Sequence, residues 1–379
     1  MNNNKQSSSP VSSRIVSSPL IIPLLTLAIT LGFVSCLNKE KEPDKTTKNH
    51  TLNSYLQYPE PLVAKAPFDI DLKLKESLDN QKKFVEVQRL FEIVSWQNFI
   101  ALNWPVSSSG QPKAIMSDKG RYPWQDWKES YEVYLTDGST PKPWGTHSLP
   151  SGFTMENQNN SPIISRTSRG DLQNGANVED EFKQAFTDAI WDQNGNLVRY
   201  QVMMNQSEFD YIVNNELYNI EGQVAFSKNN PTIIFPSNSR EKEGATEIKL
   251  AWKQMDPSVD IPERFLTVEA YVTDEKGEYS IKTMGLVGMH IAMKTISSPQ
   301  WTWATFEHVD NVQANSLKYV NGKQVQASFN DPTCDICPIN VFPNLSGDYS
   351  NSTIKKNQIQ RVVPISKETQ ALNKQVQKL

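Results

Sequence analysis

Two cysteines near the carboxyl terminus are spaced for covalent or redox chemistry. They stand in the segment Cys334-Asp335-Ile336-Cys337-Pro338, a C-x-x-C arrangement. An oxidising compartment keeps such thiols paired, so in an exported chain this spacing favours a local disulfide between Cys334 and Cys337. A redox-active dithiol, which needs a helix start beside it, and a zinc half-site, which needs two further ligands, are the alternatives.

Two of the four histidines lie in neighbouring strand-like segments, His290 in one and His308, beside Glu307, in the other. If a hairpin pairs Gly288 with His308, both imidazoles lie on one face within diagonal reach of each other. They could then bind zinc or a haem iron, or act as acid and base. A register shifted by one residue places them on opposite faces. We expect packing histidines here, since isolated histidines in sheets are commoner than sites.

The other features of the sequence favour binding over catalysis. The chain contains no G-x-S-x-G, no H-E-x-x-H, no glycine-rich phosphate loop and no EF-hand loop. Its nine tryptophans recur at helical or alternating spacing, which is typical of core residues rather than of a sugar-binding groove. The formal net charge of −4 provides no basic footprint for nucleic acid. We therefore expect no nucleic-acid partner and no resident cofactor.

The amino-terminal segment has the features of an export signal. Lys5 and Arg14 precede the apolar run LIIPLLTLAITLGFV at residues 20–34. This run is shorter than the roughly 20 residues of a membrane-spanning helix, and Pro23 interrupts it. It ends at Cys36 in a sequence that resembles a lipobox, so we expect cleavage before Cys36 and lipid on that cysteine.

This signal determines the expected domain organisation. Phe33 stands where a lipobox usually has leucine, and cleavage elsewhere or a short uncleaved anchor are the alternatives. Residues after Cys36 are charged and polar, as in a flexible tether. We predict a lipoprotein signal peptide at 1–35, a tether at 36–66 and a single domain at 67–379.

The spacing of apolar residues predicts several helices. These helices would help to hold the candidate site residues in position. Apolar positions recur at three and four between residues 72 and 103, which predicts a helix that Pro105 ends. Aromatic residues at the same spacing predict a second helix over 124–134. The dipeptide Asn194-Gly195 indicates a hairpin, and a short helix is expected from Ser207.

The following segments predict strands. Alternating or β-branched residues separated by turn signals occur at 247–252, 265–273, 279–283, 285–294 and 300–309. Consecutive strands with short turns favour an antiparallel meander. We therefore predict a loop-rich α+β domain with amino-terminal helices at 67–220 packed on a carboxy-terminal sheet at 221–315, followed by a loop-rich tail at 316–379.

Three segments of the sequence resemble those of a bacterial protein family. They are WQNFIALNWP at 96–105, GLVGMHI at 285–291 and PQWTWATFEHVDN at 299–311. Together they are similar to uncharacterised exported bacterial proteins often labelled cytochrome c family proteins, and the resemblance covers about Leu90 to Val363. The label implies haem, but covalent c-type haem needs C-x-x-C-H, and Pro338 stands in place of the histidine. We therefore expect no covalent haem.

Two functions are compatible with the sequence. The first is a non-enzymatic binding module of the bacterial cell envelope, attached to a membrane through lipid on Cys36, with a protein or small-molecule partner that the sequence does not identify. The second is a metal- or haem-dependent redox protein that uses His290 and His308.

Overall fold

A computed structural model describes most of the domain. The described residues are 56–150, 153, 162–164, 190–273, 278–298, 300–312, 319–320, 322–331, 334, 339–340 and 358–379. All of them belong to one compact unit that runs from Leu52 to Leu379. The predicted signal peptide and Cys36 lie outside the described residues. Among the described helices, none has the length and apolar composition needed to cross a membrane.

The chain joins the folded unit before residue 67. Tyr58 is buried, and its backbone N–H donates to Gln375 Oε1 at 3.0 Å. A residue buried in this way belongs to the domain, so a tether that extends to residue 66 is too long.

The first predicted helix is two helices. Helix α1 (Leu72–Asn80) is capped by Asp71, whose Oδ1 accepts the N–H groups of Lys73 and Leu74 at 3.0 Å each. The chain then turns through Lys82, which has a φ of 56°, into helix α2 (Phe84–Leu102). The apolar spacing continues across this turn, and therefore it did not indicate the break.

The predicted helix over 124–134 is wrong. Residues Pro123–Asp126 form a 3₁₀ turn, strand β1 is Lys128–Glu129 and helix α3 is the single turn Ser130–Val133. Trp124 and Trp127 are both buried in the main core. Residues three apart share a face in a 3₁₀ turn as they do in an α-helix, so the aromatic spacing did not distinguish the two.

Besides a 3₁₀ turn at Pro262–Arg264, the remaining regular elements of the described residues are strands and short helices. They are β2 (Arg199–Met204), α4 (Gln206–Asn214), α5 (Ile220–Ser227), β3 (Thr246–Gln254), β4 (Thr267–Thr273), β5 (Tyr279–Met293), β6 (Thr302–Glu307), β7 (Tyr319–Val320), β8 (Lys323–Gln324) and α6 (Lys367–Val376). The predicted hairpin turn is confirmed: Trp191 bridges Leu197, and Gly195 has a φ of 79°. Helix α4 begins at Gln206, with Asn205 rather than Ser207 as its cap.

The fold is mixed α+β, and its antiparallel sheet contains strand β5 paired with β3, β4 and β6. The order is β1-β2-β3-β5-β4, and β6 also pairs with β5. Strands β4 and β6 follow one another along the same edge of β5, while β3 covers the opposite edge. In a simple meander β3 would pair with β4, so the predicted meander is not confirmed. The two segments expected at 279–283 and 285–294 form one continuous strand.

The core face of the sheet packs against helix α2. Ile248, Leu250 and Trp252 of β3 point into the main core. Phe306 of β6 stacks on Phe99 of α2, with ring centroids 4.3 Å apart. Helix α6, in the predicted loop-rich tail, contacts α2 and completes this side of the domain.

Candidate binding cleft

The structure does not bring the two histidines together. Gly288 pairs with Glu307 instead of His308, so the register differs by one residue from the one that a shared site requires. His290 lies opposite Thr305, and its Nδ1 is 2.8 Å from the Thr305 hydroxyl. His308 follows the end of β6. The pairing of Gly288 with His308, on which a shared site depended, is not formed, and the alternative register is observed.

Both ring nitrogens of His308 are engaged. Nε2 donates to the backbone carbonyl of Arg264 at 2.8 Å, and Nδ1 accepts the N–H of Asp310 at 3.1 Å. The ring also stacks on Phe265 at a centroid distance of 4.1 Å. Burial lowers the pKa of His308, which favours the neutral ring that these bonds need.

These contacts argue against a metal centre on His290 and His308. A metal needs a nitrogen lone pair, and that of His308 Nδ1 is already used by a backbone N–H. Within the described ranges, no three histidine, cysteine or acidic side chains are grouped to hold a metal ion. Cys334 takes part in a disulfide bond. Cys337 lies outside the described residues, and its pairing with Cys334 stays a prediction.

The described structure contains a cleft of about 610 Å³. One wall is a single face of α2, and a second is the edge of the sheet at β6 and the middle of β5. Arg361, Ile365 and one face of α6 close the third side. We call this space the β6 cleft. Its lining residues are Gln88, Phe91, Glu92, Ser95, Trp96, Phe99, Leu266, Leu286, Val287, Gly288, Met289, Trp303, Ala304, Thr305, Phe306, Glu307, His308, Val309, Arg361, Ile365, Thr369, Asn373 and Gln377.

Aromatic rings form the floor of the β6 cleft. Trp96 packs edge-on against Phe99 and Phe306, with centroids 5.6 and 4.9 Å away. The Trp96 indole N–H donates to Asn373 Oδ1 at 2.9 Å, which orients the ring. Trp303 is 65% exposed at the mouth. A rigid aromatic surface of this kind binds apolar groups with little loss of side-chain entropy.

The acidic side chains of the cleft are held by contacts within the protein. Glu92 lies 3.2 Å from Arg89 and accepts the Thr369 hydroxyl at 2.7 Å. Glu307 pairs with Arg361 at 2.5 Å. These partners offset both acidic side chains of the described lining, which favours an uncharged ligand.

A separate cluster of titratable side chains was not anticipated from the sequence. Glu132 accepts the N–H of Ser148 at 2.7 Å and lies 3.2 Å from His147 Nδ1. The hydrogen bond between the His147 ring and the Glu132 carboxylate raises the pKa of His147. Burial lowers the pKa of Lys128, whose ammonium donates to the Thr146 carbonyl. Lys128 and Glu132 are almost completely buried, so we interpret the cluster as structural.

Sequence reasoning found the segments of the cleft but not the cleft itself. The segments at 96–105, 285–291 and 299–311, which carry the family resemblance, each contribute to its lining. Helix α6 was missed, although Ser366 is a suitable cap and Leu372 and Val376 are spaced as one helical face. Comparison of the chain with protein-family models, with curated proteins and with solved structures finds no match.

Proposed function

We propose that this chain is a binding module of the bacterial cell envelope, attached to a membrane through lipid on Cys36, which takes an uncharged and largely apolar ligand in the β6 cleft. The observation that carries the proposal is the aromatic floor of the cleft beside acidic groups that are already paired. The α+β scaffold, with α2 and α6 beside the sheet, would hold the walls of the cleft in place.

The size and exposure of the cleft support binding. About 610 Å³ lies within the range of roughly 300–1,000 Å³ that ligand pockets occupy. Trp303 and Val309 are 65% and 51% exposed at its mouth. Large apolar side chains gathered at the rim of a concavity are typical of surfaces that a partner covers.

The chemistry of the lining supports binding rather than catalysis. General acid–base catalysis needs a group that can exchange a proton with the ligand. His308 uses both ring nitrogens, and Glu92 and Glu307 are held in ion pairs. The described lining therefore offers surface and shape rather than a reactive side chain.

Filling the cleft should abolish its binding of apolar ligands. Ser95 lies on the face of α2 that lines the cleft, so Ser95→Phe places a ring in the space that a ligand would occupy. We expect this variant to bind the uncharged dye N-phenyl-1-naphthylamine at least tenfold more weakly, a loss of about 1.4 kcal/mol. Fluorescence titration of the purified domain measures the dissociation constant.

Val85→Phe is the matched control for the filled cleft. Val85 lies on the same helix, is 64% exposed and is not part of the cleft lining. This variant should bind the dye like the wild type. Equal affinity of all three proteins, with unchanged melting temperatures, would contradict the proposal that the β6 cleft is the binding site.

The anchor is tested by Cys36→Ala. Lipid needs the thiol, so the variant should leave the membrane fraction or accumulate as an uncleaved precursor, while the wild type stays membrane-bound. Cell fractionation and mass spectrometry of the amino terminus distinguish these products. Normal cleavage with unchanged membrane retention in the variant would show that Cys36 is not the anchor.

A further inference from the structure

The β6 cleft lies along an edge of the sheet that no other described strand covers. Among the strands that the structure describes, β6 pairs with β5 alone. The cleft contacts every residue from Trp303 to Val309, although successive side chains of a strand point to opposite faces. Residues of both faces of β6 therefore line the cleft, and the outer edge is the edge of β6 that β5 leaves uncovered.

The register shows which backbone groups face the cleft. The His308 N–H donates to the Val287 carbonyl at 3.0 Å, so these two residues form a hydrogen-bonded pair. Such pairs alternate along an antiparallel ladder. Phe306, Ala304 and Thr302 therefore bond to β5, and the N–H and C=O groups of the intervening residues point outward.

Three residues thus present unpaired backbone groups to the cleft: Trp303, Thr305 and Glu307. Each carries one donor and one acceptor, and within the described ranges these groups have no backbone partner. Proteins usually protect an exposed edge with lysine, proline or a bulge, because it is a template for another strand. The segment Thr302–Glu307 contains neither lysine nor proline, and its ladder with β5 is regular.

The side walls match the alternation of an extended chain. Phe99 and Phe306 stand on one side of the edge, and the exposed Trp303 stands on the other. Alternate side chains of a strand lying on the edge would point to these two walls. The acidic groups of the cleft are paired with Arg89 and Arg361, which favours a segment whose side chains are uncharged.

We propose that the ligand of the β6 cleft is an extended, uncharged polypeptide segment, which adds to β6 as a further strand. The inference rests on the proposed function, since it names the ligand class of the same cleft. Main-chain hydrogen bonds to Trp303, Thr305 and Glu307 would provide the affinity. The aromatic wall would select apolar residues at alternate positions.

Two substitutions at Thr305 separate main-chain pairing from side-chain effects. Thr305→Pro removes the outward N–H but no bond to β5, and proline is tolerated on edge strands. Thr305→Val keeps that N–H and removes the hydroxyl that contacts His290. The probe is a fluorescein-labelled, amidated seven-residue peptide of alternating threonine and leucine. By fluorescence anisotropy we expect Thr305→Val to bind it within about twofold of wild type, and Thr305→Pro about tenfold more weakly.

The peptide backbone provides an independent control. One edge of an added strand faces β6 and the other faces solvent, so N-methylation of the leucines and of the threonines should have unequal effects. We expect one N-methylated peptide to bind like the parent and the other to lose binding. Equal binding of both, together with normal binding to Thr305→Pro, would overturn strand addition.

The result is separable from the proposed function. If the dye binds and Ser95→Phe blocks it but no peptide binds, the cleft has an apolar ligand and the strand inference is wrong. If neither dye nor peptide binds, both proposals fail. A concentration-dependent dimer in sedimentation velocity that Thr305→Pro dissociates would assign the edge to a second copy of the chain and overturn the peptide ligand.

Discussion

Replacement of Asp260 by alanine should lower the free energy of unfolding by about 3–5 kcal/mol, because it leaves the Lys253 ammonium buried without its counter-ion. The two side chains are 2.7 Å apart, and both are nearly inaccessible to solvent. Asp260 also accepts the backbone N–H of Asp256 at 2.8 Å. Urea denaturation of the purified domain measures the loss.

An exposed ion pair of the same length is the control. Lys75 and Asp79 are also 2.7 Å apart, but their side chains are 29% and 36% exposed. Asp79→Ala should therefore cost less than about 1 kcal/mol, since water solvates the remaining lysine. The double variant Lys253→Met/Asp260→Ala should recover part of the stability because it removes the buried charge as well. If Asp260→Ala costs no more than Asp79→Ala, burial does not determine the contribution of this pair.

The strands of the main sheet were predictable because burial imposes a period of two. In β3 the buried residues Ile248, Leu250 and Trp252 alternate with less buried ones, and this pattern is visible in the sequence. The alternation says which residues face the core, but not which strand lies beside which. The pairing of β3 with β5 includes a bulge, at which the register shifts between Ala251 and Trp252. No residue type in this segment predicts the bulge.

Whether His290 and His308 could share a site depended on the register of the hairpin, which is harder to predict than the strands themselves. The hairpin between β5 and β6 was expected, and its observed register differs by one residue from the one that a shared site needs. Side-chain contacts of the connecting loop, such as Thr295 Oγ1 with Thr302 Oγ1 at 3.0 Å, accompany the observed pairing. A shift of one residue reverses the face of every side chain, so His290 and His308 cannot share a site in this register.

The cleft depends on contacts that are distant in the sequence. Asn373 of α6 orients Trp96 of α2, and the two residues are 277 positions apart. Helix α6 has ten residues, of which only Leu372 and Val376 are buried. A helix this short is marginal in isolation and forms through its contact with α2. Local patterns identify the aromatic segments, but the space between them exists only in the folded domain.

Glu208 should make the domain less stable as the pH rises from about 4.5 to about 8. Its side chain is buried in the first turn of α4, and its Oε2 has no hydrogen-bond partner among the described residues. Burial, and secondarily the charge of Glu247, raises the pKa of Glu208 to about 8. The favourable position at a helix start does not compensate for this loss of water.

The direction of the effect follows from the two protonation states. Below pH 4.5 the carboxyl is protonated in both the folded and the unfolded chain, and it contributes no pH dependence. Between 4.5 and 8 the unfolded chain releases the proton while the folded chain retains it, so unfolding becomes more favourable as the pH rises. Glu208→Gln removes this pH dependence. The free energy of unfolding of the variant, measured relative to wild type, should therefore be about 3 kcal/mol higher at pH 7 than near pH 4.

Urea denaturation of wild type and Glu208→Gln at pH 4.5, 6, 7 and 8 tests this, since the difference between the two proteins cancels the other titrating groups. Glu221→Gln is the matched control, because Glu221 also lies in the first turn of a helix but is exposed. Its difference from wild type should stay nearly constant with pH. A constant difference for Glu208→Gln as well would mean that Glu208 ionises normally in the folded domain. It would follow that this part of the core admits water, and the buried carboxyl would not limit the stability of the domain at neutral pH.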